Sequence, residues 1–159
     1  MIKRLILQRH GTALTGSGQA EDFNRKLSQS GISKILGIAD IIKQKNIDID
    51  LLLCSSAVRT RQTASLMGDK LSLAEEIYMD DLYLADIETM MAAISAVRED
   101  LNTVILIGHN PGISGLLAYL IGEYRINFSP GMLVIIDFQA ESWEIAMNRA
   151  MGSLVEIIE

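Results

Sequence analysis

The sequence predicts an α/β fold, a three-layer α/β/α sandwich around a mostly parallel mixed sheet, and three observations carry that expectation. Short aliphatic runs alternate with segments whose apolar residues recur at helical spacing. The runs Ile2-Lys3-Arg4-Leu5-Ile6-Leu7, Asp50-Leu51-Leu52-Leu53-Cys54 and Val104-Ile105-Leu106-Ile107 are nearly continuous in hydrophobicity, as strands covered on both faces require. Each leads directly into polar or glycine-containing residues, and open α/β sheets bind ligands just beyond the carboxyl ends of their strands.

Each element follows in order. The first strand is Lys3 to Leu7, and the polar stretch from Thr12 to Lys26 is long enough to be a functional loop or flap. Ile32, Ile35, Leu36, Ala39 and Ile42 then predict a helix that ends near Asn46, with Ser28 or Ser30 as its cap. A second strand is expected at Asp50 to Cys54. The switch at Ser55-Ser56 into Ala57-Val58-Arg59-Thr60 reads as a capped helix with Arg59 in its first turn. An acidic linker leads to a helix over Asp86 to Arg98, whose buried face is Ile87, Met90, Met91, Ile94 and Val97. The third strand is Val104 to Ile107. Pro111 suits the first position of the next helix, which buries Ile113, Leu116, Leu117, Leu120 and Ile121 and stops at Gly122. Met132 to Phe138, a turn at Gln139-Ala140-Glu141, and Ser142 to Met147 predict a terminal β-hairpin, which makes the sheet mixed.

Composition bounds the function. At 159 residues, with 49% hydrophobic, 21% charged and only 2 prolines, the chain is expected to form one domain over residues 1–159. Aromatic residues make up 5%, so the core is expected to be aliphatic. A formal net charge of −6 is unlike the basic footprint of a nucleic-acid binder. A single cysteine, Cys54, cannot form an intramolecular disulfide or hold a structural metal alone. No secretory leader pattern and no run of about 20 apolar residues is present, so a cytoplasmic location without membrane association is expected.

The most informative residues are Gln8-Arg9-His10-Gly11-Thr12, where a guanidinium and an imidazole share one tight turn at a strand end. Arginine offers a planar fork of donors to phosphate oxygens, histidine a ring nitrogen near its neutral point, and glycine a close backbone approach. The only other histidine lies in Gly108-His109-Asn110-Pro111-Gly112, again after a strand and before a helix whose N-terminus favours an anion. If the three strands are parallel, Arg9-His10, Ser55 to Arg59 and His109-Asn110 converge. A cysteine phosphatase loop needs Cys-x5-Arg, and here Arg59 comes one residue too early after Cys54. Two histidines without a local metal-binding motif are a poor zinc set.

Arg9-His10-Gly11, Asp22-Phe23-Asn24-Arg25-Lys26-Leu27 with Gly31, Cys54 to Ala64, and Gly108-His109-Asn110-Pro111-Gly112 together resemble the histidine phosphatase superfamily, and more narrowly its short SixA-type phosphohistidine phosphatase branch. The match runs in order through Pro130-Gly131 and a Trp143 strand. The family often has proline at the position of Ser56 and an acid at that of Thr12. The resemblance implies a phosphoglycerate mutase-like fold, with His10 as nucleophile and Arg9, Arg59 and His109 holding the phosphoryl oxygens, without a metal or cofactor. It also implies a phosphorylated protein substrate, a histidine-containing phosphotransfer domain of a signalling relay being the expected one. Alternatives are a small-molecule phosphomonoesterase and a non-catalytic phosphate-recognition module. Arg25 is expected to contact substrate from a mobile loop, with a solvated loop residue as the other reading, and Asp22 to orient Arg25. Thr12 and Asn110 are candidate substrate contacts that could instead satisfy a turn and a helix cap. Asp80, Asp81 and Asp86 are candidate general acids, more simply read as solvated loop acids. A P–N bond lessens the need for such an acid, and a chain without a lid domain is expected to leave the site open to a histidine on another protein.

Overall fold

The computed structural model describes residues 1–16, 18–123 and 126–159. Strands β1 (Ile2–Arg9), β2 (Ile49–Ser55), β3 (Leu73–Met79), β4 (Thr103–Gly108), β5 (Leu133–Gln139) and β6 (Gly152–Ile158) form one six-stranded sheet in the order β3-β2-β4-β1-β5-β6. The pairs β3/β2, β2/β4 and β4/β1 are parallel, whereas β5 runs antiparallel to both β1 and β6. The helices are α1 (Gly18–Phe23), α2 (Gln29–Gln44), α3 (Val58–Lys70), α4 (Ile87–Ser95), α5 (Gly112–Ile121) and α6 (Trp143–Ala146).

Alternation of side chains along each strand divides the interior into two apolar layers. Leu5, Leu7, Leu51, Leu53, Val104 and Leu106 face the side covered by α4, α5 and α6. Ile6, Leu52, Cys54, Ile105 and Ile107 face α2 and α3. This is the three-layer arrangement expected. Burial on both sides is why the central strands read as continuous apolar runs rather than alternating ones.

Local signals explain most helix ends. Ser28 caps α2 by accepting from Gly31 N at 3.1 Å, and Gly122 closes α5 in the left-handed region at φ 70°. Helix α5 begins at Gly112 with Pro111 as its N-cap, one residue later than the sequence suggests. Helix α3 departs further from expectation. Its N-cap is Ala57 with no side-chain cap, because Ser55 and Ser56 are engaged elsewhere.

The acidic linker contains a strand. Residues Leu73–Met79 form β3 at the sheet edge, where exposed Glu75 and Glu76 hide the pattern, and charge on an edge strand discourages pairing with other chains. The terminal hairpin is also corrected. Residues expected as its second strand form α6, capped by Ser142 accepting from Ile145 N, and Trp143 is buried with its indole donating to Leu101 O at 2.8 Å. The second strand of the terminal pair is β6, and its pairing with β5 shifts register between Ile135 and Ile136 of β5. Within the loop expected at 12–26, Ser17 lies outside the described residues, and Gly18–Phe23 form α1.

Candidate active site

Three parallel strands end at one edge of the sheet, and their next residues meet there. Arg9 pairs in register with Gly108, so His10 and His109 follow from adjacent strands. The turn after β1 is held on both sides: His10 N donates to Gly108 O at 3.2 Å, and Gly131 N donates to His10 O at 2.9 Å. Thr63 of α3 accepts from Gly11 N at 3.1 Å. The two imidazoles stand 5.3 Å apart, tilted by 56°.

Hydrogen-bond chemistry assigns each ring its tautomer. His10 Nδ1 lies 2.7 Å from Gly11 O, and a carbonyl only accepts, so Nδ1 carries the proton and Nε2 presents a lone pair. Arg59 Nε donates to that Nε2 at 3.3 Å. The same guanidinium reaches His109 Nδ1 at 3.3 Å, and since arginine only donates, His109 carries its proton on Nε2 and gives it to Ser55 Oγ at 2.8 Å. One arginine thus spans two rings.

Burial and neighbouring cations keep both rings neutral. Burial is the main cause of lowering the His10 pKa to about 4; the Gly11 hydrogen bond opposes it, and Arg59, Arg9 and Arg25 add to it. Burial likewise lowers His109 to about 3, helped by His10 and Arg59. Arg9 donates to Phe128 O at 2.9 Å, while its buried Nε has no hydrogen-bond partner among the described residues. Arg59 is buried, with only 2% of its surface exposed.

Asp22 of α1 counters part of this charge. Its carbonyl accepts from Arg59 at 2.7 Å, and its carboxylate accepts from Arg59 and Arg25, both at 3.1 Å, and from the Tyr83 hydroxyl. The tyrosine bond is the leading cause that holds Asp22 below the usual carboxylate range. Three guanidinium groups against one carboxylate leave the cluster positive in a chain of net charge −6, as an oxyanion site requires.

The remaining expected residues are placed as follows. Arg25 is tied to Asp22 and to Leu14 O, at the edge of the cluster and near enough to lower the His10 pKa. Thr12 is exposed, and its carbonyl accepts from Ser28 N and Oγ. The Asn110 amide donates to Phe128 O at 2.9 Å, and its oxygen accepts from Ser114 at 2.6 Å, which fixes the carbonyl that Arg9 also uses. Asp86 caps α4 through Thr89 N, Asp80 accepts from Ser56 Oγ, and Asp81 is exposed. Cys54 is buried, which pushes its thiol up to about 12. Among the described residues no group of three or more His, Cys, Asp and Glu is placed to hold a metal, and no helix is long and apolar enough to cross a membrane.

Ser55 belongs to the Ser55 to Arg59 segment expected to converge here, and its hydroxyl accepts the His109 Nε2–H bond instead of capping α3. One participant escapes the sequence reading. Tyr83 follows a short 3₁₀ turn at Asp80–Leu82, its ring edge-on to His109 at 5.5 Å. Its being one of four tyrosines in an aromatic-poor chain is the one signal that could have pointed to it.

Comparison with known proteins shows what the chain as a whole is similar to. No family model matches the chain. A Mycobacterium tuberculosis protein without an assigned activity is 33% identical over 113 residues, 70% of this chain and 68% of its own length. The match spans 62% of the length of a Mycobacterium leprae relative. Phosphohistidine phosphatase SixA of Escherichia coli is 27% identical over 132 residues, covering 81% of this chain and 78% of that one. A crystal structure from Agrobacterium tumefaciens, assigned to the SixA phosphohistidine phosphatases, superposes with a TM-score of 0.82 at 26% identity, covering 99% and 98% of the two chains.

Proposed function

The chain belongs to the histidine phosphatase superfamily, in its short SixA-type branch, and from that membership we propose that it removes the phosphoryl group from protein-bound phosphohistidine through a covalent intermediate on His10. It is a phosphatase of that superfamily. The observation that carries the finer reading is the single Arg59 guanidinium bonded to both neutral imidazoles at the shared strand edge.

In the first step Arg59 Nε turns its N–H from His10 Nε2 to a phosphoryl oxygen, the freed Nε2 lone pair forms a bond to phosphorus, and the P–N bond of the substrate breaks with its electron pair going to the departing imidazole. Arg9, Arg59 and the N-terminus of α5 face the oxygens on which charge accumulates. In the second step the oxygen of water bonds to phosphorus, the P–Nε2 bond breaks, and its pair returns to Nε2. Both water protons leave with inorganic phosphate, as H2PO4− or, once one passes to solvent, as HPO4 2− and a proton. Because Nδ1 keeps its proton on Gly11 O throughout, His10 departs as a neutral ring and needs no general acid. Arg25 is the candidate fourth contact, able to exchange Asp22 for a substrate oxygen.

Substrate source and role follow from the same chemistry. A phosphohistidine on a phosphotransfer domain of a signalling relay, acting in the cytoplasm, fits an acidic protein with a small cationic cleft.

Phosphate release from a phosphohistidine protein in chelator, for wild type and His10→Ala, tests the reading. Release by wild type and none by the variant is expected, with an acid-labile phosphoenzyme trapped on wild type. Equal release removes His10 from the mechanism. Faster turnover of sugar or nucleotide phosphates would replace the reading with a small-molecule phosphomonoesterase, and phosphate binding without a phosphoenzyme would make the site a recognition module.

A further inference from the structure

Beside the cationic cluster lies a cleft of about 630 Å³ lined by Ala20, Phe23, Asn24 and Tyr83. Phe23 and Tyr83 meet edge to face with centroids 5.0 Å apart. Tyr83 also faces the reacting groups: its ring lies 5.5 Å from that of His109 and 5.9 Å from the Arg59 guanidinium carbon, and its hydroxyl donates to Asp22. A single side chain therefore borders both the cleft and the phosphoryl-binding cluster. Neither Phe23 nor Tyr83 belongs to the two apolar cores, and both are half-buried, so their ring surfaces have no packing role deep in the fold.

We propose that Tyr83, supported by Phe23, determines substrate specificity by receiving the departing group, and that it selects a planar aromatic nitrogen base, the imidazole of phosphohistidine, over an alkylamine. This rests on the phosphohistidine reading above and extends it to the leaving group. Two edge-to-face rings form a wall against which a third flat ring stacks or abuts, a contact an alkyl chain cannot match in geometry. The cleft also suits the charge of that ring. A phosphoimidazole protonated on its second nitrogen is cationic on the ring; the Tyr83 π face attracts it, and the Asp22 carboxylate stands beside the Tyr83 hydroxyl. When the P–N bond breaks, its electron pair neutralises that ring, which leaves as imidazole with the proton it already carried. No further proton donor enters the step.

The test compares phosphoimidazole with N-phosphoryl butylamine, two P–N substrates that differ in the leaving group, on the full chain. The ratio of their kcat/KM values in a variant, divided by that in wild type, cancels their intrinsic reactivity. In Tyr83→Leu the preference for phosphoimidazole should fall roughly three- to tenfold, Phe23→Leu should lower it in the same direction, and Tyr83→Phe, which keeps the ring, should preserve it. Wild-type preference that survives both leucine variants overturns the subsite and leaves the phosphohistidine reading intact. An equal loss in Tyr83→Phe also overturns it, since the hydroxyl on Asp22 would then be the source. Wild type that releases no phosphate from phosphoimidazole overturns both.

Discussion

Arg59 Nε donates to Nε2 of His10 at 3.3 Å, the ring nitrogen whose lone pair is left available by the Nδ1 bond to Gly11 O. In the proposed mechanism this arginine stands at the atom that bonds phosphorus, and the same guanidinium reaches His109 Nδ1 at 3.3 Å.

Arg59→Ala should lower kcat/KM on a phosphohistidine substrate by on the order of 10²–10³, the usual cost of removing one preorganised donor to a developing negative charge. Arg59→Lys should recover little, because an ammonium cannot span two rings and Asp22 with planar donors. Steady-state kinetics of both variants check this, and full activity in the lysine variant would show that charge alone suffices.

Ser55→Ala removes the acceptor for the His109 Nε2 proton. Activity should fall roughly five- to tenfold, and because the buried Nε2–H is left without an acceptor, stability should fall by about 1–3 kcal/mol, read by thermal denaturation. Unaltered kcat would mean that His109 is oriented by packing alone.

Acid should act on both stability and activity through the buried rings. His10 and His109 titrate near 4 and 3 in the folded protein, against 6.5 for an ordinary histidine, so the unfolded chain binds more protons below about pH 6.5. Their contribution to stability is complete above about pH 6.5 and is lost as pH falls toward 4. The melting temperature should therefore drop across that interval by less in His10→Gln than in wild type. NMR titration of the two imidazoles should give midpoints well under 6.5, and a midpoint at or above that value would show that burial does not govern them.

Gly31→Ala tests the close packing that holds the turn after β1. A Cβ there would press on the Thr12 carbonyl oxygen and approach Thr12 N at 3.0 Å. Both partners are backbone and cannot rotate away, so destabilisation of about 1–3 kcal/mol is expected. Thermal denaturation measures it, and an unshifted transition would show that the 12–16 segment moves without cost.

Local residue order by itself determined the apolar runs of β1, β2 and β4, the helices α2, α4 and α5, and the candidates Arg9, His10 and His109 at strand ends with Arg59 in the first turn of α3. Buried strands need uninterrupted aliphatic side chains, and glycine and proline mark the turns after them, so these features are written in short stretches. Tertiary structure decided the rest. Leu73–Met79 is a strand because β2 offers it an edge, and Trp143 lies on a helix because its ring fills the core while its N–H reaches Leu101 O. Ser55 and Ser56 carry the local signature of a helix cap, yet their hydroxyls serve His109 and Asp80, which arrive from distant parts of the chain. Asp22 and Tyr83 join the site for the same reason: partners 61 positions apart meet only after the sheet has formed, and no local pattern encodes that contact.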